Sequence, residues 1–248
     1  LLALGLARLV ALAPSARQIG LSATVAAPEQ MANFLDCAGP VSVIDGGPGP
    51  LPDISVMAVA NRLPWSGHMT LHAMADVYEA IKCQQTTLVF VNTRAQAEVV
   101  FNHLWRLNDD GLSIALHHGS LAVEQRRKVE AAMVRGMLRA VVCTSTLDLG
   151  VDWGAVDLVI QVGAPKGLSR LVQRIGRANH RLDDPSRAVL IPSNRFEVLE
   201  CQAAAAAVVE GELDGEVRRQ GGLDVLAQHI LCVACGGPFR AVDLYEEV

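Results

Sequence analysis

No G-x-x-x-x-G-K-[ST] segment occurs in the 248 residues, so the chain carries no phosphate loop of its own. Charge is scarce as well. Only 19% of residues are Asp, Glu, Lys or Arg, and 21 basic against 26 acidic residues leave a formal net charge of −5. That balance excludes a broad basic face. Any polynucleotide contact has to be local, made by a few arginines, hydroxyls and backbone amides. No run approaches the roughly 18 uninterrupted apolar residues that a membrane span needs. The opening LLALGLARLVALAPSA could be mistaken for a secretory signal, but it is broken by Arg8 and has no basic leader before it, so none is expected. Regular cysteine spacing is missing too. The pair Cys232 and Cys235 has no second pair or histidine at zinc-site distance, so no metal is expected. The six cysteines read as reduced, buried thiols of a cytoplasmic protein. An initiator methionine is also lacking: the chain opens on Leu1 inside a helical pattern and stops as abruptly at Val248. The expectation is a piece of a longer protein.

What is present is core. Half of the chain, 51%, is apolar, enough for one large or two small folded domains. Helical spacing is expected over Leu1–Leu12 and Pro28–Leu35, with short strands at Gln18–Leu21 and Val41–Asp45. The clearest linker is GGPGPLP, Gly46–Pro52. Beyond it strand and helix alternate. Strands are expected at Ile54–Ala60, Thr87–Val91, Ser113–Leu116, Arg139–Cys143, Val156–Val162 and Ala188–Ile191. Helices are expected at Met69–Lys82, Ala95–Leu107, Val123–Arg135, Leu168–Asn179 and Glu197–Val209. Continuous Val/Ile/Leu strands separated by helices mean an α/β fold with a doubly wound parallel sheet. Leu223–Cys235, a GGP turn and a further helix start read as the beginning of a helical domain.

Ligands of such sheets gather at the carboxyl ends of the strands, and there the sequence places its polar clusters. Ser22-Ala23-Thr24 sets two hydroxyls on a turn, where they could relay hydrogen bonds or cap a helix. Asn92-Thr93-Arg94 follows an apolar strand and would cradle a phosphate, or cap the next helix. His117-His118-Gly119-Ser120 is followed by Arg126. The adjacent histidines would point to opposite faces and so not chelate together, whereas Gly119, Ser120 and Arg126 suit a phosphate backbone. Thr144 to Asp152 offers hydroxyls, then Gly150 for close approach and Asp152 for a ribose hydroxyl or a metal-bound water. The densest cluster is GLSRLVQRIGRANH, Gly167–His180. There Arg174 and Arg177 share a helical face, suited to charge on a transferring phosphoryl group, and Gly176 in mid-helix implies close packing or a close backbone approach.

In this order the clusters resemble the C-terminal half of a superfamily 2 helicase motor. Ser22–Thr24 is similar to the SAT motif that closes the first RecA-like lobe. Thr87–Arg94, Leu116–Ser120, Thr144–Asp152 and Gln173–His180 are similar to the successive motifs of the second lobe. The wording GAPKGLSRLVQRIGRANH and LDVLAQHILCVACGGPF resembles the large helicase-related (Lhr) type, nearest its bacterial ligase-associated DExH branch.

The resemblance implies residues 1–45 as the tail of a first RecA-like lobe, 46–52 as linker, 53–212 as the second lobe and 213–248 as the start of a winged helix. It implies an ATP-dependent 3′-to-5′ DNA helicase or translocase, active in DNA repair and cytoplasmic, nucleoid-associated in a bacterium. ATP and Mg2+ would be bound mainly by a first lobe that precedes Leu1, so the chain alone should be inactive. Arg174 and Arg177, with Gln173, would be the catalytic fingers. Gly150 and Asp152 would border the nucleotide, Ser22 and Thr24 would couple the lobes, and Thr93, Arg94, Gly119, Ser120, Arg126 and Thr144 would track single-stranded DNA. Ligase or nuclease repair partners are implied as well. Where many superfamily 2 members carry a last arginine this chain has His180, as the Lhr type does. Two other readings fit the same residues: a truncated, non-catalytic nucleic-acid-binding or scaffold module, and an RNA helicase.

Overall fold

The apolar runs do become strands, six of them among the described residues, all parallel and in the order β1-β6-β5-β2-β4-β3. They are β1 (Asp53–Val56), β2 (Thr87–Phe90), β3 (Ile114–His117), β4 (Ala140–Cys143), β5 (Leu158–Val162) and β6 (Arg187–Ile191). The computed structural model describes residues 2–22, 25–35, 41–47, 49–57, 63–67, 70–148, 155–178, 184–214 and 221–248, with Asn33 and Phe34 described in backbone only. The chain divides into two compact units, Gly47–Asp214 and a second one formed by Leu1–Gly46 together with Gly215–Val248.

In the sheet unit β2, β4 and β5 are buried along their whole length. Alternate side chains of β2 therefore feed two cores. Leu88 and Phe90 pack with α5 (Val123–Val134), α6 (Leu168–Ile175) and α7 (Arg195–Val209). Val89 and Val91 pack with α3 (Met74–Lys82) and α4 (Arg94–Arg106) on the opposite face. The helix after β2 thus covers one face and the helix after β5 the other. Because β2 and β5 are neighbours, a crevice is left where their carboxyl ends meet.

The second unit is helical. Its α1 (Leu2–Leu12) touches α2 (Pro28–Leu35), α8 (Leu223–Gly236) and α9 (Ala241–Glu247), and Arg8 Nη1 lies 2.7 Å from Glu247 Oε2.

Several expectations change. Gln18–Leu21 and Val41–Asp45 are not strands: neither pairs with a described strand, and Leu21 and Ile44 are each 94% exposed. Strand-like residues without a neighbour to complete the hydrogen-bond ladder stay irregular. Residues 58–60 of the expected first strand lie outside the described residues. Cys143 and Cys201 are buried, but Cys83, Cys232 and Cys235 are exposed, because the buried residues of α8 are His229 and Val233. The expected helix Leu168–Asn179 ends at Ile175, with Gly176 as its C-cap at φ −63° and ψ −1°. Gly176 is therefore not a mid-helix residue, and no close packing is needed to account for it.

Candidate nucleotide and nucleic-acid interface

Past Gly176 the backbone tightens. Arg177 N donates to Arg174 O at 2.9 Å and Ala178 N to Ile175 O at 2.9 Å, both three-residue spacings. Such a turn eclipses side chains three apart, so Arg174 and Arg177 converge on one target. That target is Asp148, the C-cap of a short 3-10 helix (Ser145–Leu147) that begins just beyond β4. Arg174 Nε donates to Asp148 Oδ1 at 2.9 Å and its Nη2 to Oδ2 at 3.4 Å. The Nη1 of the same guanidinium donates to Gln161 Oε1 at 2.6 Å, and its Cζ lies 4.7 Å from the centre of the Phe90 ring. Arg177 Nη2 donates to the Asp148 carbonyl at 2.7 Å, and Arg170 Nε stands 3.6 Å from its carboxylate. Arg174 is buried, whereas Arg177 and Gln173 are half-buried.

A second cluster occupies the ends of β2 and β3. Thr93 is the N-cap of α4: its hydroxyl accepts from Gln96 N at 3.1 Å, while Gln96 Oε1 accepts from Asn92 N at 3.0 Å. The capping alternative is therefore realised, and the Thr93 hydroxyl keeps its own hydrogen for donation outward. Arg94 Nη1 donates to Ser120 Oγ at 2.7 Å. A Cβ added at Gly119 would lie 4.0 Å from Arg94 Nη2. Thr144 follows β4 as the N-cap of the short 3-10 helix, and its N donates to His117 O at 3.3 Å. Arg126, in α5, is half-buried, and its Nε has no hydrogen-bond partner among the described residues.

The histidines do part. His117 lies within hydrogen-bonding distance of Thr146 Oγ1 (2.8 Å, through Nδ1) and Glu130 Oε1 (3.0 Å, through Nε2). His118 Nε2 lies 2.9 Å from Glu98 Oε1 on α4, and its Nδ1 accepts from Ser120 N at 3.2 Å. Among the described residues no three His, Cys, Asp or Glu side chains are grouped to hold a metal. Burial pushes the pKa of His117 below its usual value, against the raising effect of its bond to Glu130. The folded protein then binds this proton less readily than the unfolded chain does. The stabilisation is complete above about pH 6.5 and is lost as pH falls from there through the folded-state pKa. Between pH 7.5 and pH 5 the melting temperature of His117→Gln should fall less than that of the unaltered chain. Equal falls in a pH series of melting curves would refute this.

The structure thus joins Arg94, Gly119 and Ser120 in one cluster and Arg174 and Arg177 in another. Ser22 is exposed and belongs to the other unit. Thr24, Gly150, Asp152, Asn179 and His180 lie outside the described residues. Gln161 was not singled out from the sequence, and Asn92 and Asp148 stood inside polar clusters without a role of their own. The signal for Gln161 was there, a lone amide inside the apolar run Leu158–Val162. A polar group in a fully buried strand requires a partner.

Comparison with known proteins settles the family. The helicase conserved C-terminal domain matches residues 70–181. All of this chain aligns, at 37% identity, with 30% of the ATP-dependent helicase Lhr-Core protein 2 of Thermococcus barophilus. It also aligns over its whole length, at 32% identity, with 19% of the Lhr helicase/uracil glycosylase of Escherichia coli. Among solved structures, the Mycobacterium smegmatis helicase Lhr bound to ssDNA and AMP-PNP superposes with a TM-score of 0.90 at 35% identity, over 99% of this chain and 33% of that one. The chain belongs to the Lhr-type helicases of superfamily 2. Its sheet is the RecA-like α/β fold of the helicase C-terminal domain. It spans less than a third of the length of those curated Lhr relatives. No helix of the described residues is long and apolar enough to cross a membrane.

Proposed function

We propose that this Lhr-type chain supplies the second RecA-like lobe of an ATP-dependent DNA helicase or translocase. In this reading residues 1–45 are the tail of a first lobe, 46–52 a linker, 53–212 the second lobe and 213–248 the start of a winged helix. The observation that carries it is the placement of two clusters on one edge of the sheet. A guanidinium pair sits beyond β4 and β5, and a cap–arginine–glycine–serine cluster sits beyond β2 and β3.

Arg177, at the rim, would meet the γ-phosphate of ATP held with Mg2+ mainly by a first lobe, with Gln173 beside it. Arg174 reaches a phosphate only by leaving Asp148 and Gln161. Gly150 and Asp152 would border the nucleotide, and Ser22 and Thr24 would couple the lobes. Thr93, Arg94, Gly119, Ser120, Arg126 and Thr144 would hold the phosphates of one strand. The Arg126 Nε, buried without an acceptor, is a donor that a phosphate oxygen would satisfy. Contacts of this kind ignore base sequence, as a translocating motor requires, and they need no net positive charge. The Mycobacterium smegmatis relative, captured with ssDNA and a nucleotide analogue, supports both ligand classes.

The finer reading is 3′-to-5′ movement in cytoplasmic, nucleoid-associated DNA repair, beside ligase or nuclease partners in the ligase-associated branch. Its support is the motif resemblance. The test is steady-state ATP hydrolysis by the complete protein and by residues 1–248. Single-stranded DNA should stimulate the complete protein and RNA should not, while residues 1–248 stay inert. Stimulated turnover by residues 1–248 alone would refute the division of labour, and stronger stimulation by RNA would make the substrate RNA.

A further inference from the structure

The guanidinium cluster and the strand-side cluster are joined by a run of polar contacts as far as Asn92 and by two residues of backbone from there to Arg94, and Gln161 is its centre. Gln161 is the one polar residue of β5 and is fully buried. It lies on the α6 face of the sheet, between the two ends of the site. Its amide has a determined orientation. Arginine only donates, so the oxygen must face Arg174, where Oε1 accepts at 2.6 Å. The nitrogen must then face the end of β5, where Nε2 donates to Val162 O and Gly163 O, both at 3.1 Å, with Asn92 Oδ1 at 3.4 Å.

The turn at that end is clamped from the other side as well. Asn92 Nδ2 donates to Ala164 O at 2.8 Å. Gly163 has φ +80°, and a Cβ there would stand 3.1 Å from Asn92 Nδ2, so the turn has little room to drift. Asn92 in turn precedes Thr93, the cap of α4, and Arg94, which holds Ser120. The contacts therefore run from Arg177 to Asp148, Arg174, Gln161, the Gly163–Ala164 turn, Asn92, Arg94 and Ser120.

We propose that Gln161 is the positioning residue that couples nucleotide occupancy to the grip on the strand, through the Gly163–Ala164 turn and Asn92. The proposal rests on the functional reading above. When Arg174 turns to a phosphate, Gln161 Oε1 loses its donor inside a dry strand. The amide must then rotate or shift to find another, and the same movement releases Gly163 O and loosens the clamp on Asn92. One amide with a donor end and an acceptor end ties the two clusters together. An apolar side chain of the same size would fill the space without doing so.

Coupling between two ligands is a ratio of affinities, the same in either direction, and is commonly 5–150-fold. The experiment measures affinity of the complete protein for a single-stranded DNA oligonucleotide with and without a non-hydrolysable ATP analogue. In Gln161→Leu the ratio of the two affinities should fall to within about twofold of one, with DNA affinity without nucleotide moving to the value that the unaltered protein shows with the analogue bound. Gln161→Glu keeps the acceptor for Arg174 and loses the donor to Gly163. It should lose the ratio as well, and a melting curve of the same variant, showing it folded at the assay temperature, separates coupling from stability. Adding Asn92→Ala to either variant should lower the ratio no further, since both act on one path. An unchanged ratio in a folded Gln161→Glu protein would overturn the proposal and place the coupling along the 3-10 helix from Thr144 to Asp148. A ratio of one in the unaltered protein would instead overturn the functional reading, and the relay with it.

Discussion

Replacing Arg177 by alanine in the complete protein should lower the DNA-stimulated rate of ATP hydrolysis by about three to five orders of magnitude, the range seen when an arginine finger is lost. Arg177 is the half-buried member of the pair, and one of its hydrogen bonds runs to the backbone carbonyl of Asp148. Its charge matters most in the transition state, when negative charge spreads over the transferring phosphoryl oxygens, so the loss should appear in kcat rather than in KM. Arg177→Lys should recover little, because an ammonium cannot offer the planar fork of donors. DNA affinity measured without nucleotide should change less than about threefold, since the strand-side cluster is built from other residues. Steady-state kinetics together with a DNA titration checks both halves. Turnover within tenfold of the unaltered protein would remove Arg177 from the reaction.

The second large effect is on stability and needs only the 248-residue chain. Asp148 and Arg174 form a buried ion pair, with side chains 6% and 3% exposed. Removing one partner leaves an uncompensated charge in a dry core, which costs about 3–5 kcal/mol. For a chain of this size that corresponds to a fall of roughly 6–20 °C in melting temperature. Asp148→Ala should therefore melt far below the unaltered chain. Here the uncompensated charge is aggravated by Arg170, which also faces the Asp148 carboxylate, and partly relieved by the Phe90 ring. The double variant Asp148→Leu, Arg174→Met should lose much less than the sum of the single changes, because it removes both charges together. Thermal melts of the two single variants and the double one test this. A drop of under 2 °C for Asp148→Ala would show the pair to be solvated.

These two expectations separate arginines that look alike in the sequence. Arg174 and Arg177 are three residues apart in one basic cluster, and an uninterrupted helix would treat them as equivalents. The helix instead stops at Ile175, and the turn that follows places one guanidinium inside, over Phe90, and the other at the rim. Cysteines divide in the same manner. Burial pushes the Cys201 thiol up to about 12 and that of Cys143 upward too, while Cys232 and Cys235 stand in solvent on a helix whose apolar composition suggests a core.

The amino-acid sequence by itself determined the alternation of strands and helices, the parallel sheet and the list of polar clusters at the strand ends. Those features follow from local rules: the period of apolar residues, caps, and the burial that a strand of Val, Ile and Leu demands. It also determined that any nucleic-acid contact is confined to a few side chains. Only the tertiary structure decided which polar residues meet. Asp148 and Arg174 are 26 positions apart, Gln161 and Asn92 69, and Asn92 and Ala164 72. Such pairs leave no periodic trace. They arise because β2 and β5 lie side by side while the helices that follow them cover opposite faces, which opens the crevice where these side chains converge. The isolated strand segments of the helical unit failed for the complementary reason, since a strand exists only where a neighbour completes its hydrogen bonds, and no local pattern records whether that neighbour is there.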